Sequence, residues 1–234
     1  MELAQLLPTT IHRAGRSFEQ GELAFLALTS KVERPFLDRL SYQLYKSLDQ
    51  STYTVAREFP VLRGVRADIA VLKGSLLLTV IEAKAMCTAD CTREEGLRRE
   101  YPDLLRADLQ RYAACGIDGL QVFSLLLGTH LLVPPAKHLT SVVKYRRLLT
   151  HAFHTHLTAE AIRQAADDNL ERFLRPETRL TSGLITGGSA FGVPVELLWW
   201  LYGPFPCSGE LAILRPALPN PQMQPTNAVR PELL

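Results

Sequence analysis

Cysteine is scarce in this chain. Its 234 residues include four, Cys87, Cys91, Cys115 and Cys207, too few and too scattered for a disulfide scaffold. Long apolar runs are missing as well: no stretch approaches the roughly 18 uninterrupted apolar residues that a membrane helix needs, and no membrane partner is expected. An excess of one charge sign is also lacking. Lys and Arg total 26 against 24 Asp and Glu, a net charge of +2. No global basic field advertises a polyanion, so any such partner has to be met by a local patch. The opening MELAQLLPTTIHRAGRSF lacks the charged region, apolar stretch and cleavage site of a secretory signal. The expected location is cytoplasmic.

What is present reads as α/β. The apolar GELAFLAL within residues 1–28 is a short strand or helix. SKVERPFLDRLSYQLYKSL (Ser30–Leu48) has the pattern of an amphipathic helix. Ser30 and Glu33 stand at capping-box spacing, Pro35 suits a first turn, and Leu37, Leu40, Leu44 and Leu48 form one stripe. TYTVAREFPVL and VRADIAVL read as strands, with Lys73, Gly74 and Ser75 as the turn to a third. REEGLRREYPDLLRADLQRYAAC reads as a helix in two pieces. In the second, Pro102 fits the first turn, Leu105, Leu109 and Tyr112 give the face, and Gly116 ends it. LQVFSLLLGTHLLV is one buried strand, or two broken at Gly128, and residues 138–174 look helical. The order of helix, strands, helix, strand and helix predicts a mixed central sheet flanked by helices. We expect residues 1–176 to form the core with an N-terminal extension. Residues 177–214 would add accessory strands, or a short hairpin, packed on that core, and 215–234 a proline-rich tail.

One strand carries the chemistry. LLLTVIEAKA (Leu76–Ala85) is built for burial, yet it contains Glu82 and Lys84. Residues two apart point to the same side of a strand, and buried charges are costly unless paired, hydrogen-bonded or bound to metal. An exposed ion pair at the strand's end would be the plain explanation. Upstream, across a hairpin, stands Asp68. Two carboxylates and a lysine at one sheet edge suit a hard cation such as Mg²⁺, which engages one or two carboxylates and keeps several waters.

RADIAVLKGSLLLTVIEAKA resembles the PD-(D/E)XK nuclease superfamily, whose core is the restriction-endonuclease-like fold. Asp68 matches the motif's first aspartate, Glu82 and Lys84 match its (D/E)-x-K, and Ala67 stands where the family's proline would be. The resemblance covers about residues 30–133. It implies a Mg²⁺-dependent deoxyribonuclease, more an endonuclease than an exonuclease, with Mn²⁺ able to substitute. Asp68, Glu82 and the Ala83 carbonyl would hold the metal, and Lys84 would orient or activate water. It also implies an acidic residue in the preceding helix, with Glu33 the best fit and Asp38 the second. A polar residue is implied in the following helix, with Gln110 the candidate and Arg106 one turn before it. Duplex DNA is the expected partner, met by Arg66, Arg106, Lys144, Arg146 and Arg147, with a homodimer or partner subunit for two-sided cutting. The alternative is a non-cutting module that holds nucleic acid or protein on the same fold, within a larger complex.

Register puts a condition on this site. A regular two-residue Gly74-Ser75 turn pairs Lys73 with Leu76 and sets Asp68 and Glu82 on opposite faces. An odd-length connection or a β-bulge returns them to one face, so one of the two is predicted.

Other clusters carry less. His151, His154 and His156 invite a zinc reading, but on a helix the third points away from the first two. The cysteines lack the C-terminal clustering of nucleases that hold an iron–sulfur cluster. GGSAFG lacks the Lys-Ser/Thr of a phosphate loop. Of the adjacent Trp199 and Trp200, a strand would turn one inward and one outward, the outer suiting an interface or a stacked base.

Overall fold

The computed structural model describes residues 3–92, 100–139, 141–144, 149, 152–154, 158–175 and 178–207. Three helices come first: α1 (Leu3–Arg16), α2 (Glu22–Thr29) and α3 (Glu33–Ser47). They are followed by β1 (Tyr53–Leu62), β2 (Val65–Lys73), β3 (Leu76–Cys87), a 3₁₀ turn (Thr88–Thr92), α4 (Glu100–Ala113) and β4 (Gln121–Leu131). After a short 3₁₀ turn (Lys137–Leu139) come α5 (Ala159–Phe173), β5 (Arg179–Ala190) and β6 (Val193–Pro206). The strands form one mixed sheet in the order β1-β2-β3-β4-β6-β5. Only β3 and β4 run parallel. They are joined through α4, since a parallel pair needs a crossover.

Both faces of the sheet are covered. Ile81, Ala83, Ala85 and Trp199 face α1, α2 and α3, whereas Val80, Met86 and Trp200 face α4 and α5. Trp199 and Trp200 do point to opposite sides, but neither side is solvent, and both are buried. Neither ring is available to stack on a base.

Several expectations are corrected here. Residues 179–206 are not strands packed onto a finished core. β6 lies between β4 and β5, so this hairpin continues the sheet itself. Of the two readings of β4, the single strand holds: it passes through Gly128 unbroken. A Cβ there would come within 2.9 Å of Trp200 Cζ3, so the glycine makes room for an indole instead of ending a strand. Helix is found at 149, 152–154 and 159–173, while residues 141–144 form turns and a bend. His151 and His156 of the histidine cluster lie outside the described residues. Ser30 does not cap α3: its hydroxyl donates to the Leu26 carbonyl, Val32 is the N-cap and no side chain caps the helix. Among the described residues, no helix is long and apolar enough to cross a membrane.

Candidate active site at the open edge of β3

The hairpin turn is the regular one, yet the register does not stay regular. Lys73 pairs with Leu76 and Leu72 with Leu77, but Val71 then pairs with Thr79. Leu78 is the extra residue of a β-bulge. Its effect is visible in the packing, because Leu77 and Val80, three apart, belong to the same core cluster. Beyond the bulge Ile69 pairs with Ile81, and one step further Asp68 comes opposite Glu82. The predicted bulge is therefore present, and it puts the two carboxylates side by side.

The ladder between β2 and β3 stops at that point. The Ala83 N–H donates to Asp68 Oδ2 at 2.8 Å, and the Ala85 N–H donates to Glu33 Oε2 at 3.0 Å. Two amides that a neighbouring strand would have satisfied are thus satisfied by carboxylates, as buried amides must be by some acceptor. A strand residue's N–H and C=O leave by the same edge, so the Ala83 carbonyl faces this gap too. Glu33 arrives from the first turn of α3. With no capping box to close, its side chain is free to reach a strand 52 residues further along the chain. Asp38, the second choice, instead accepts from Arg57 Nε at 3.0 Å on the exposed side of α3. Arg57 also donates to the Asp68 carbonyl.

Glu82 and Lys84 are not an exposed pair. Glu82 is 3% exposed, and Lys84 Nζ lies 3.9 Å from Glu82 Oε2. Its nearer partner is Asp108 on α4, at 2.7 Å. Arg111 joins the two acids, with Nη2 at 3.2 Å from Glu82 Oε2 and 3.1 Å from Asp108 Oδ1. Tyr112 donates its hydroxyl to Glu82 Oε1 and lies 3.1 Å from the Arg66 carbonyl. The α4 residues of the site are thus Asp108, Arg111 and Tyr112. Gln110 and Arg106, expected there, are exposed on the other side of the helix. A signal for the true set was present: Asp108 shares the stripe of Leu105, Leu109 and Tyr112 by its three- and four-residue spacings.

Electrostatics follow from this packing. Burial first, and Asp68 second, push Glu82 up to about 7 against Tyr112, whose bond works the other way. Glu33 is raised by burial and then by Asp68, and Asp68 by burial against the Ala83 N–H and Lys84. For Lys84, burial works to lower the pKa, but the bond to Asp108 and the surrounding carboxylates outweigh it and the net shift is upward. It is therefore an ammonium. Glu82 and Asp108 offset Lys84 and Arg111, two charges against two. That leaves Asp68 and Glu33, neither of which forms an ion pair among the described residues, and each of which uses one oxygen on an amide.

Among the described residues, no three His, Cys, Asp or Glu side chains form a ready-made metal cage. The donor chemistry nevertheless fits a hard divalent cation. Two carboxylates with one oxygen each to spare and a backbone carbonyl make the sparse oxygen set that Mg²⁺ takes while keeping water. Glu82 would have to share oxygens already engaged by Tyr112, Arg111 and an Asp68 N–H at 3.3 Å.

The expected DNA contacts are dispersed. Arg66 and Lys144 are exposed. The Lys144 amide donates to the Leu28 carbonyl at 2.8 Å, setting this residue against the end of α2. Arg146 and Arg147 lie outside the described residues. All four cysteines are free thiols. Comparison with protein-family models, with curated proteins and with solved structures finds no match.

Proposed function

We propose that this protein is a metal-dependent nuclease that hydrolyses DNA phosphodiester bonds, on an α/β core of restriction-endonuclease-like type. One observation carries the reading: Asp68 and Glu33, two carboxylates that form no ion pair among the described residues, are held on the open amide edge of β3 beside the Lys84 ammonium. Asp68, Glu82 and the Ala83 carbonyl would hold Mg²⁺ or Mn²⁺. Bound there, the cation would supply polarisation of a phosphoryl oxygen and a lowered pKa for a coordinated water. The protein's own groups do the rest. Asp68 and Glu82 are fixed by the bulge and by backbone bonds, so little reorganisation is needed when substrate arrives. Lys84, charged and donating, orients a water and steadies negative charge developing on phosphate. Glu33 accepts a proton from, or orients, a water on the α3 side. Lys31, exposed and with its charge acting on Glu33, favours the phosphate backbone. Duplex cutting on both strands requires a second copy or a second binding event.

The test is cleavage of supercoiled plasmid, linear duplex and single-stranded DNA with Mg²⁺, Mn²⁺ or EDTA, comparing wild type with Lys84→Ala. Metal-dependent cutting by wild type is expected, with a loss of roughly 10²–10⁴-fold in the variant. Nicked or internally cut plasmid marks an endonuclease. DNA binding without cutting on any substrate overturns the reading in favour of a module that binds on the same fold.

A further inference from the structure

The motif side chains Glu82 and Lys84 do not set their own positions. We propose that Asp108 and Arg111, one turn apart on α4, are positioning residues of this site: Asp108 stations the Lys84 amine, and Arg111 ties that station to Glu82. The inference rests on the nuclease reading for its catalytic meaning, but its geometry stands alone. Lys84 Nζ is 2.7 Å from Asp108 and 3.9 Å from Glu82, so the carboxylate that holds the lysine comes from the helix and not from the motif. Arg111 spans 3.1 Å to Asp108 and 3.2 Å to Glu82, closing a ring of four alternating charges.

Stability does not explain this ring. The side chains of Asp108 and Glu82 are 8% and 4% exposed. Burying such charges costs free energy that well-packed apolar groups would avoid. Ionisable clusters of this kind gather where positions of charge matter. The neighbours underline the cost: Leu105 and Leu109 on the same stripe of α4 are fully buried and apolar, and a leucine at position 108 would extend them. What the acid provides is direction. A lysine has four rotatable carbons and no preferred heading, and a single close carboxylate fixes where its amine points. Because α4 packs on β3 and β4 through those leucines, the station is held by a rigid element.

The test uses the full chain and two readouts. In cleavage kinetics with saturating Mg²⁺, Asp108→Asn is expected to lower kcat by about 10²-fold, the scale of a misplaced reacting group, with the KM for DNA nearly unchanged. Asp108→Glu, which keeps the charge, should recover part of the loss. The second readout needs no cleavage: limited acetylation followed by peptide mass spectrometry. Modification of Lys84 should rise in Asp108→Asn and in Arg111→Ala relative to the other lysines of the same sample. Wild-type kcat in Asp108→Asn, or equal loss in Asp108→Glu and Asp108→Asn, overturns the proposal. So does unchanged Lys84 labelling. If wild type cuts no DNA while Lys84 labelling still responds to Asp108, the nuclease reading fails and the positioning role stands. Should Asp108→Asn unfold, shown by labelling of every lysine, Arg111→Lys takes its place in both measurements. Lowered kcat with raised Lys84 labelling then supports the proposal, and no change in either overturns it.

Discussion

Along its edge toward β4, β3 is paired from Thr79 to Cys87. Along the edge toward β2 the ladder ends at Ile81, and the amides of Ala83 and Ala85 go to Asp68 and Glu33. The same residues of one strand thus face a complete sheet on one side and a set of acids on the other. The paired edge fixes where the strand lies. The open edge leaves backbone donors and acceptors available, and two carboxylates are aligned by bonding to them. A site of this kind is made by stopping a sheet early.

If the two edges have separate duties, changes at each should fail differently. The largest effect belongs to the open edge. Asp68→Asn should reduce metal-dependent cleavage by roughly 10²–10³-fold, without lowering the melting temperature, because the charge it removes is disfavoured in the fold. A melting temperature that drops sharply would show that Asp68 holds the fold together, and the division of duties would be lost. On the paired side, Gly128→Val drives a side chain into Trp200, whose ring atoms lie at 2.9 and 3.1 Å from a Cβ built there. Denaturant titration should show destabilisation by about 1–3 kcal/mol, with metal affinity of the folded protein unchanged when measured by calorimetry.

The smallest effect is a linkage. Glu82 is raised from 4.5 to about 7 in the fold, chiefly by burial, and Glu33 and Asp68 shift the same way. A carboxyl whose folded pKa is raised contributes stability that is complete below its unfolded value and is lost as pH rises through the folded one. Metal-free protein should therefore melt a few degrees lower at about pH 8 than at about pH 5 on account of these groups, and Mg²⁺ should restore more at the higher pH. Scanning calorimetry with and without Mg²⁺ checks this. An equal gain at both values would mean that the acids do not meet the cation.

Much of this arrangement was legible in the sequence because it depends on periodicity. The apolar stripe of α3, the strand pair flanking Gly74 and the parity argument between Asp68 and Glu82 all follow from residue spacing, and the bulge resolves the parity as required. What spacing concealed was competition among partners. Ser30 and Glu33 stand at capping distance, yet each bonds elsewhere, the serine to its own preceding helix and the glutamate to β3. Asp108 lies on the buried stripe of α4, but a lone acid among leucines has no sequence cue for a lysine on another element. Gln110 is a polar residue at the place the resemblance implies, but its spacing from Leu105 and Leu109 turns it outward. Glycines within β4 and β5 read locally as breaks. In the fold Gly183 and Gly128 instead receive the indoles of Trp199 and Trp200, a long-range reason that no local pattern states.

The Leu78 bulge has a consequence for how this chain can drift over generations. It makes the distance from the turn to Glu82 a matter of parity. Because Leu78 is the extra residue, losing it would leave a regular hairpin in which Val71 still pairs with Thr79 and Asp68 still stands opposite Glu82. Losing a second residue from the same stretch would bring Ala83 opposite Asp68 and turn Glu82 to the other face. Descendants of this sequence can therefore shed the bulge with their acids still aligned, and a further odd step has to be repaired by another elsewhere in the same hairpin.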